Sequence, residues 1–213
     1  MNGAESLVHT LVACGIDTVF ANPGTSEMHF VAALDRIPGL NCVLCLDETV
    51  ATGAADGYWR VTGRPAATLL HCGPGLSNGL ANLHNARRAR SGILNIVGDQ
   101  ATYHRPLDAP LTADTEGWAK PVSGFVRTAR SAATVGRDAA EAIAAAQGGT
   151  IATLILPADT AWTEGGMVGE KQPVPARPMP GDDAIAGAVD ALRSGEPTVL
   201  LLGGRTLHDK SMR

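Results

Sequence analysis

The stretch TIATLILPAD, residues 150–159, is apolar at most positions and closes on Pro, Ala and Asp. Four further segments share this pattern of an apolar run that ends in turn residues. A strand that is apolar at successive positions has both faces buried, which is typical of a parallel sheet covered by helices. We therefore predict strands over the following ranges: 17–24, 42–48, 66–75, 92–99 and 150–159.

Helical patterns fill the intervals between these runs. Apolar residues at Leu7, Val8, Leu11 and Val12 form an amphipathic stripe, which predicts a helix near the N-terminus. The alternation of strands and helices indicates a doubly wound α/β domain over residues 1–162, with helices on both faces of a parallel sheet. The predicted crossover helices cover 27–37, 49–63, 77–90 and 136–147.

A second unit is predicted beyond this domain. Residues 163–182 are dense in Pro, Gly and charge, which favours an interdomain linker. The pattern then restarts with an amphipathic helix over 182–196 and an apolar run, PTVLLLGGR, over 197–205, which predicts a further strand. One helix and one strand cannot bury their own apolar faces, so we expect 183–213 to be the truncated start of a second α/β domain.

Composition limits the classes of partner and compartment. The 213 residues carry a net charge of −4, and this mildly acidic balance argues against nucleic acid and anionic membrane surfaces. We expect no membrane span and a cytoplasmic protein, because no run of about 18 apolar residues occurs and the N-terminus has no cleavable leader pattern. Cys42 and Cys45 form a C-x-x-C, but residues three apart on a strand point to opposite faces, so we expect buried reduced thiols.

Polar residues stand at the ends of the first two predicted strands. Ligands of open parallel sheets bind beyond the carboxyl ends of the strands. The first strand ends in NPGTSE, residues 22–27, where Pro23 and Gly24 set a tight turn before the next helix. The second ends in Asp47 and Glu48. These strand ends are therefore the candidate functional region.

The third predicted strand ends in HCGPGLSN, residues 71–78, where Gly73 and Gly75 allow a ligand to approach the backbone closely. A dinucleotide fingerprint G-x-G-x-x-G would need glycine at Asn78, and it would follow the first strand rather than the third. The phosphate loop G-x-x-x-x-G-K-[ST] does not occur either. The glycines therefore do not indicate a nucleotide site.

Four motifs together resemble a known family. They are NPGTSE at 22–27, LDETVATGAADGYWRVTGRPA at 46–66, LLHCGPGLSNGLANL at 69–83 and ILNIVGDQ at 93–100. In order and spacing they resemble the N-terminal pyrimidine-binding domain of thiamine-diphosphate-dependent enzymes, in particular acetolactate synthases and benzoylformate decarboxylases. The resemblance covers about residues 1–165 and implies a flavodoxin-like doubly wound sheet.

This resemblance implies decarboxylation or carboligation of a 2-oxo acid with thiamine diphosphate. The cofactor reacts through its C2 carbanion. A carboxyl group of the protein, hydrogen-bonded to a nitrogen of the cofactor's pyrimidine ring, favours the imino tautomer that removes the C2 proton. Glu48 matches the glutamate with this role; taken alone, it would be interpreted as a helix cap. The cofactor-binding residues implied are Asn22, Pro23, Gly24, Glu48, Gly75 and Asn78.

Two further residues match catalytic or substrate-contacting positions of the decarboxylase branch. His71 stands where that branch has an active-site histidine, which exchanges protons near neutral pH. Thr25 stands where it has a serine that contacts substrate. The GPG at 73–75 instead resembles the synthases, which usually have no histidine before it. Both branches use 2-oxo acids, so the substrate class is common to the two.

Parts of the family's site are not matched. The family binds Mg²⁺ and diphosphate through a Gly-Asp-Gly stretch and downstream Asn residues in its C-terminal domain, which VGDQ at 97–100 and PGDD at 180–183 do not resemble. We therefore predict no metal ligand here, and we expect the diphosphate-binding domain to come from a missing C-terminal part or another chain. Flavin (FAD) binding stays open, since in the synthases that site lies mainly in the middle domain.

The helix 49–60 carries the expected assembly surface. Ala51, Ala54 and Ala55 lie on one face with little side-chain bulk, which predicts close packing against a second subunit in a homo-oligomer. Two alternatives remain: a catalytically silent assembly or regulatory module of the same fold, and an unrelated flavodoxin-like small-molecule binder. Glu48 argues against the first, and the order of the motifs argues against the second.

Overall fold

The structure is a computed structural model, which describes residues 1–203 and 206. Its first compact unit, Met1–Pro175, contains a six-stranded sheet in which every neighbouring pair is parallel. The order across the sheet is β2-β1-β3-β4-β6-β5. The strands are β1 (Thr18–Asn22), β2 (Asn41–Leu44), β3 (Ala66–Leu70), β4 (Ile93–Asp99), β5 (Phe125–Thr128) and β6 (Ile151–Pro157).

Helices cover both faces of this sheet. One hydrophobic core joins the strands to α1, α2 and α6, and the other joins them to α3 and α4. Short 3-10 turns lie at Thr25–Glu27 and Arg105–Leu107. The helices are α1 (Gly3–Ala13), α2 (Met28–Arg36), α3 (Glu48–Thr62), α4 (Cys72–Ala89), α5 (Thr115–Ala119), α6 (Ala132–Gln147), α7 (Ala158–Trp162) and α8 (Asp182–Arg193).

The doubly wound α/β fold expected from the sequence is confirmed. The chain leaves β1 for β2 at one edge, then returns past β1 to β3, so the direction of strand addition reverses between β1 and β3. Loops that follow these two strands diverge to opposite faces and leave a crevice beyond their carboxyl ends. The motifs at 22–27 and 71–78 therefore come to the same edge of the sheet.

The expectation that every strand is buried on both faces is wrong for β2. All four of its residues are exposed, because β2 is an edge strand with a neighbour on one side only. Cys42 is accordingly an exposed free thiol, whereas Cys45 is buried. The opposite edge strand, β5, was missed by the pattern, because its FVRT sequence is only half-buried and carries an arginine.

Residues at the start of the predicted linker 163–182 belong to the first unit. The Ser6 hydroxyl donates to the Met167 carbonyl at 3.0 Å, and the Gly169 amide donates to Thr10 Oγ1 at 2.9 Å. These bonds fasten the segment to α1. Among the described residues, no helix is long and apolar enough to cross a membrane.

The second compact unit comprises Ala176–Arg213 and contains α8. The strand predicted over 197–205 is wrong for 197–203, which form no strand, and residues 204–205 lie outside the described residues. A strand is stabilised only by hydrogen bonds to a neighbouring strand. The described part of this unit offers no second strand for such pairing.

Candidate functional site

The candidate site lies at the switch point between β1 and β3. Asn22 ends β1, and its side-chain amide donates to the Cys45 carbonyl at 2.8 Å. This bond ties the loop after β1 to the loop that leads from β2 into α3. The predicted residues Asn22 and Glu48 are thereby held on neighbouring backbone segments.

Glu48 is the first residue of α3 and does not cap it. The capping residue is Asp47, whose carboxylate accepts a hydrogen bond from the Thr49 amide at 2.7 Å. The Glu48 side chain is free to turn inward, and the residue is only 6% exposed. Its Oε2 accepts a hydrogen bond from Asn78 Nδ2 at 3.0 Å. Burying a carboxylate costs free energy, which hydrogen bonds to the carboxylate offset.

Gly75 provides the space that Glu48 occupies. A Cβ atom on Gly75 would lie 2.6 Å from Glu48 Oε1 and 3.3 Å from the backbone of Leu70. Hydrogen bonds from described residues reach Oε2 of Glu48 and not Oε1. The predicted residues Glu48, Gly75 and Asn78 thus form one cluster, with one carboxylate oxygen held and the other available.

His71 forms a second cluster with Gly24 and an acid that the sequence analysis did not assign to the site. Its Nδ1 lies 2.8 Å from Glu27 Oε2, and the Gly24 amide donates to the same oxygen at 2.7 Å. Glu27 is 1% exposed, whereas the His71 side chain is 22% exposed. Burial raises the pKa of Glu27, and the neighbouring His71 opposes that rise.

Two glycines accommodate the Glu27 and His71 side chains. A Cβ on Gly24 would overlap the His71 ring, and a Cβ on Gly98, within β4, would overlap the Glu27 carboxylate. Glu27 Oε1 is buried without a hydrogen-bond partner among the described residues. The sequence offered one signal for Glu27, because an acid three residues after Gly24 can close a capping box on its amide.

Cys72 adjoins this cluster as a buried thiol. It is fully buried, its Sγ donates to Ser26 Oγ at 3.3 Å, and burial raises its pKa to about 11. Glu27, His71 and Cys72 offer metal-ligating atoms that all lie within 4.8 Å of one another. A metal ion there would have to displace the Glu27–His71 hydrogen bond and the thiol proton, so the geometry favours the hydrogen-bonded pair.

Another buried acid, Asp99, ends β4 beside this cluster. It is 1% exposed, and burial raises its pKa while Arg105 opposes the rise. Arg105 Nε lies 3.3 Å from Asp99 Oδ2, although that oxygen has no hydrogen bond of good geometry among the described residues. We interpret the contact as an ion pair, because the distance is short and angle matters less for a charge interaction.

The remaining predicted residues lie around these clusters. Thr25 opens the 3-10 turn and is exposed, with Pro23 two residues before it. The predicted small-residue surface of α3 is wrong in part: Ala51 and Ala55 are fully buried in this chain's own core. They face the sheet, because the helix needs its apolar stripe to cover the strands. Only Ala54 of the three is partly exposed.

The sequence matches a family model over residues 1–120, described as thiamine pyrophosphate enzyme, N-terminal TPP binding domain. It is also similar to a Mycobacterium tuberculosis protein named "Putative acetolactate synthase large subunit IlvX". The two are 58% identical over 205 residues, which are 96% of this chain and 39% of that protein. The acetolactate synthase isozyme 3 large subunit of Escherichia coli is 31% identical over 122 residues, 57% of this chain and 21% of that one.

A solved structure shares the fold. It is the thiamine diphosphate-dependent 4-hydroxybenzoylformate decarboxylase of Rhodococcus jostii RHA1, with a TM-score of 0.80 and 24% identity. The similarity covers 91% of this chain and 38% of that one. The chain thus spans about two fifths of the Mycobacterium tuberculosis relative and of this structure, at 39% and 38% of their lengths.

Proposed function

We propose, from the premise that this chain belongs to the thiamine pyrophosphate enzyme family as an N-terminal TPP-binding domain, that it forms the pyrimidine side of a 2-oxo acid decarboxylase or synthase. Thiamine pyrophosphate and thiamine diphosphate are the same cofactor. The observation that carries the proposal is Glu48, a buried carboxylate with one oxygen held by Asn78 and the other beside Gly75.

The cluster around Glu48 suits the aminopyrimidine ring. In this proposal Glu48 Oε1 hydrogen-bonds the pyrimidine ring nitrogen, and Asn78 keeps the carboxylate turned toward the crevice. Gly75 leaves room for the carboxylate, and the backbone of Asn22, Pro23 and Gly24 forms the facing wall. The bound cofactor supplies a carbanion that adds to the carbonyl of a 2-oxo acid.

His71 is proposed to exchange a proton with the substrate, and Thr25 to contact it. The imidazole is partly exposed at the same edge of the sheet as Glu48, and its Nδ1 is held by a buried acid. Imidazole donates and accepts protons near neutral pH, as a group that acts on a carbonyl or carboxylate must do. Thr25 lies on the exposed 3-10 turn, where its hydroxyl is available to a ligand.

The diphosphate end of the cofactor needs residues from elsewhere. We propose that Mg²⁺ and the diphosphate are bound by a second domain, in a longer chain or in a partner, since this chain spans 39% of its Mycobacterium tuberculosis relative. That relative and the Escherichia coli protein are named as acetolactate synthase subunits, and the structural neighbour as a decarboxylase. A 2-oxo acid substrate is compatible with both names.

A second copy of this chain is the proposed neighbour at the β2 edge. Leu44, Leu46 and Val50 are 73%, 94% and 55% exposed and follow one another from the end of β2 into α3. Several large apolar side chains exposed within one short segment favour an interface there. Because Glu48 lies within the same segment, a symmetric contact there would also shield the cofactor-binding crevice from water.

The test uses Glu48→Gln in the enzyme assembled with its diphosphate-binding domain. We expect the variant to keep its fold by circular dichroism but to exchange the cofactor C2 proton roughly 10²–10⁴-fold more slowly, measured by NMR after acid quenching in deuterated solvent. Glu170→Gln, an exposed glutamate in the segment after α7, is the matched control. Equal exchange in Glu48→Gln and the control would exclude the proposed role.

A further inference from the structure

We infer that Glu27 is a positioning residue: its carboxylate holds the His71 ring through Nδ1, so that Nε2 is the nitrogen left for proton exchange with a substrate. The part that concerns substrate rests on the proposed function. The part that concerns the ring rests only on the contacts between Glu27, His71 and Gly24.

The direction of the hydrogen bonds follows from a shared acceptor. The Gly24 backbone amide can only donate, and it donates to Glu27 Oε2 at 2.7 Å. The same oxygen lies 2.8 Å from His71 Nδ1. An ionised carboxylate can only accept hydrogen bonds, so with Glu27 as the carboxylate Nδ1 is the donor. A neutral imidazole with its proton on Nδ1 has its lone pair on Nε2.

Glu27 and His71 differ in their exposure to solvent. Glu27 is 1% exposed and the His71 side chain 22%, so the carboxylate lies behind the ring and the ring faces outward. The Glu27 carboxylate cannot reach a ligand without moving His71. It therefore acts through the imidazole rather than on the substrate itself.

Two chain segments distant in sequence make room for this arrangement. Gly24 lacks the Cβ that would overlap the ring, and Gly98 lacks the Cβ that would overlap the carboxylate. Glu27 Oε1 also stays buried without a hydrogen-bond partner among the described residues. A merely structural link between the 22–27 loop and α4 would not require an orphaned carboxylate oxygen, which is a feature of functional sites.

The first test measures the His71 tautomer in the 213-residue chain. Two-bond ¹⁵N–¹H correlations of histidine-labelled protein report which ring nitrogen carries the proton, and a His71→Gln spectrum identifies the signal among the six histidines. We expect the Nδ1–H tautomer at high pH, with the Nδ1 proton strongly downfield. An Nε2–H tautomer of His71 in the parent chain overturns the inference.

Two variants then test the dependence on Glu27. In Glu27→Ala the His71 ring should lose its fixed tautomer, and in the isosteric Glu27→Gln the Nδ1 proton should move upfield, because a neutral amide oxygen is a weaker acceptor than a carboxylate. Asp99→Asn, which removes another acid that is 1% exposed, is the matched control and should leave the His71 signals unchanged. An unchanged His71 signal in folded Glu27→Gln contradicts the inference.

Kinetic measurements distinguish a failure of this inference from a failure of the proposed function. In the enzyme assembled with its diphosphate-binding domain, Glu27→Gln should lower kcat about tenfold or more with little change in KM, since a positioned acid or base contributes roughly 10²–10⁴-fold. Combining it with His71→Gln should cause little further loss. If the parent enzyme turns over no 2-oxo acid while the tautomer result holds, the proposed function fails and the positioning of His71 by Glu27 stands.

Discussion

The substitution Gly98→Ala should disrupt the candidate site by displacing the Glu27 side chain. Gly98 lies within β4, pairs with Leu156 of β6, and has ordinary extended backbone, so alanine is tolerated there as far as the strand is concerned. The added methyl group would overlap the carboxylate of Glu27 and also lie 2.7 Å from its Cγ. Glu27 must therefore leave its position.

The cost follows from the contacts that Glu27 would lose. Its carboxylate accepts hydrogen bonds from the Gly24 amide at 2.7 Å and from His71 Nδ1 at 2.8 Å. Hydrogen bonds to a charged group contribute about 1.5–3 kcal/mol each, so we expect the loss of both in Gly98→Ala to lower the free energy of unfolding by about 3–6 kcal/mol. An effect of this size is unusual for the addition of a single methyl group.

A double-mutant cycle in urea unfolding isolates the cause. Glu27→Ala removes the carboxylate that the new methyl group would strike, so Gly98→Ala should cost little in the Glu27→Ala background. The coupling between the two substitutions should therefore be about as large as the cost of Gly98→Ala alone, about 3–6 kcal/mol. Gly57→Ala, in the exposed middle of α3 with no neighbour within 4 Å, is the control and should stabilise the chain by about 1 kcal/mol. If Gly98→Ala costs the same with and without the Glu27 side chain, the overlap is not the cause.

Three further predictions test the neighbouring features. Burial raises the pKa of Asp99, so the folded chain binds the Asp99 proton more tightly than the unfolded chain does. The contribution of this group to the free energy of unfolding therefore declines as the pH rises above 3.8, the ordinary pKa of an aspartate. Asp99→Asn should abolish this contribution, measured by urea unfolding at a series of pH values. Gly75→Ala should weaken thiamine diphosphate binding about tenfold or more in the assembled enzyme, measured by calorimetry, because its methyl group would displace Glu48, while Gly57→Ala should not. Val50→Arg should prevent self-association at tens of micromolar in sedimentation, and equal association of parent and variant would contradict the proposed interface.

The sheet was predictable where strands are buried on both faces. Residues 93–99 and 151–157 are buried throughout, so their composition alone indicated central parallel strands. Edge strands give a weaker signal, because one side is unpaired and fewer side chains are enclosed. β5 was missed for this reason, and β2 was found but wrongly expected to be buried.

The residues of the candidate site could be predicted only where they belong to a recognisable sequence motif. Glu48, Gly75 and Asn78 were selected because the motifs that contain them resemble a known family, and in the structure they lie next to one another. Glu27 was not selected, because its environment is made by His71 and by Gly98, which are 44 and 71 residues away in the chain. Burial of an acid by distant segments leaves no periodic pattern in the sequence.

Two glycines, one in α4 and one in β4, leave room for the two buried acids of the candidate site. Gly75 leaves room for Glu48, whereas Gly98 leaves room for Glu27 behind the imidazole. Two carboxylates on a common site would raise each other's pKa if they were in contact. Here His71 and its partner Glu27 form one hydrogen-bonded unit, and Glu48 is held separately by Asn78. Under the proposed function, Glu48 acts on the cofactor ring while Glu27 positions His71. Alanine substitutions at Gly75 and Gly98 should then impair distinct steps of a shared reaction.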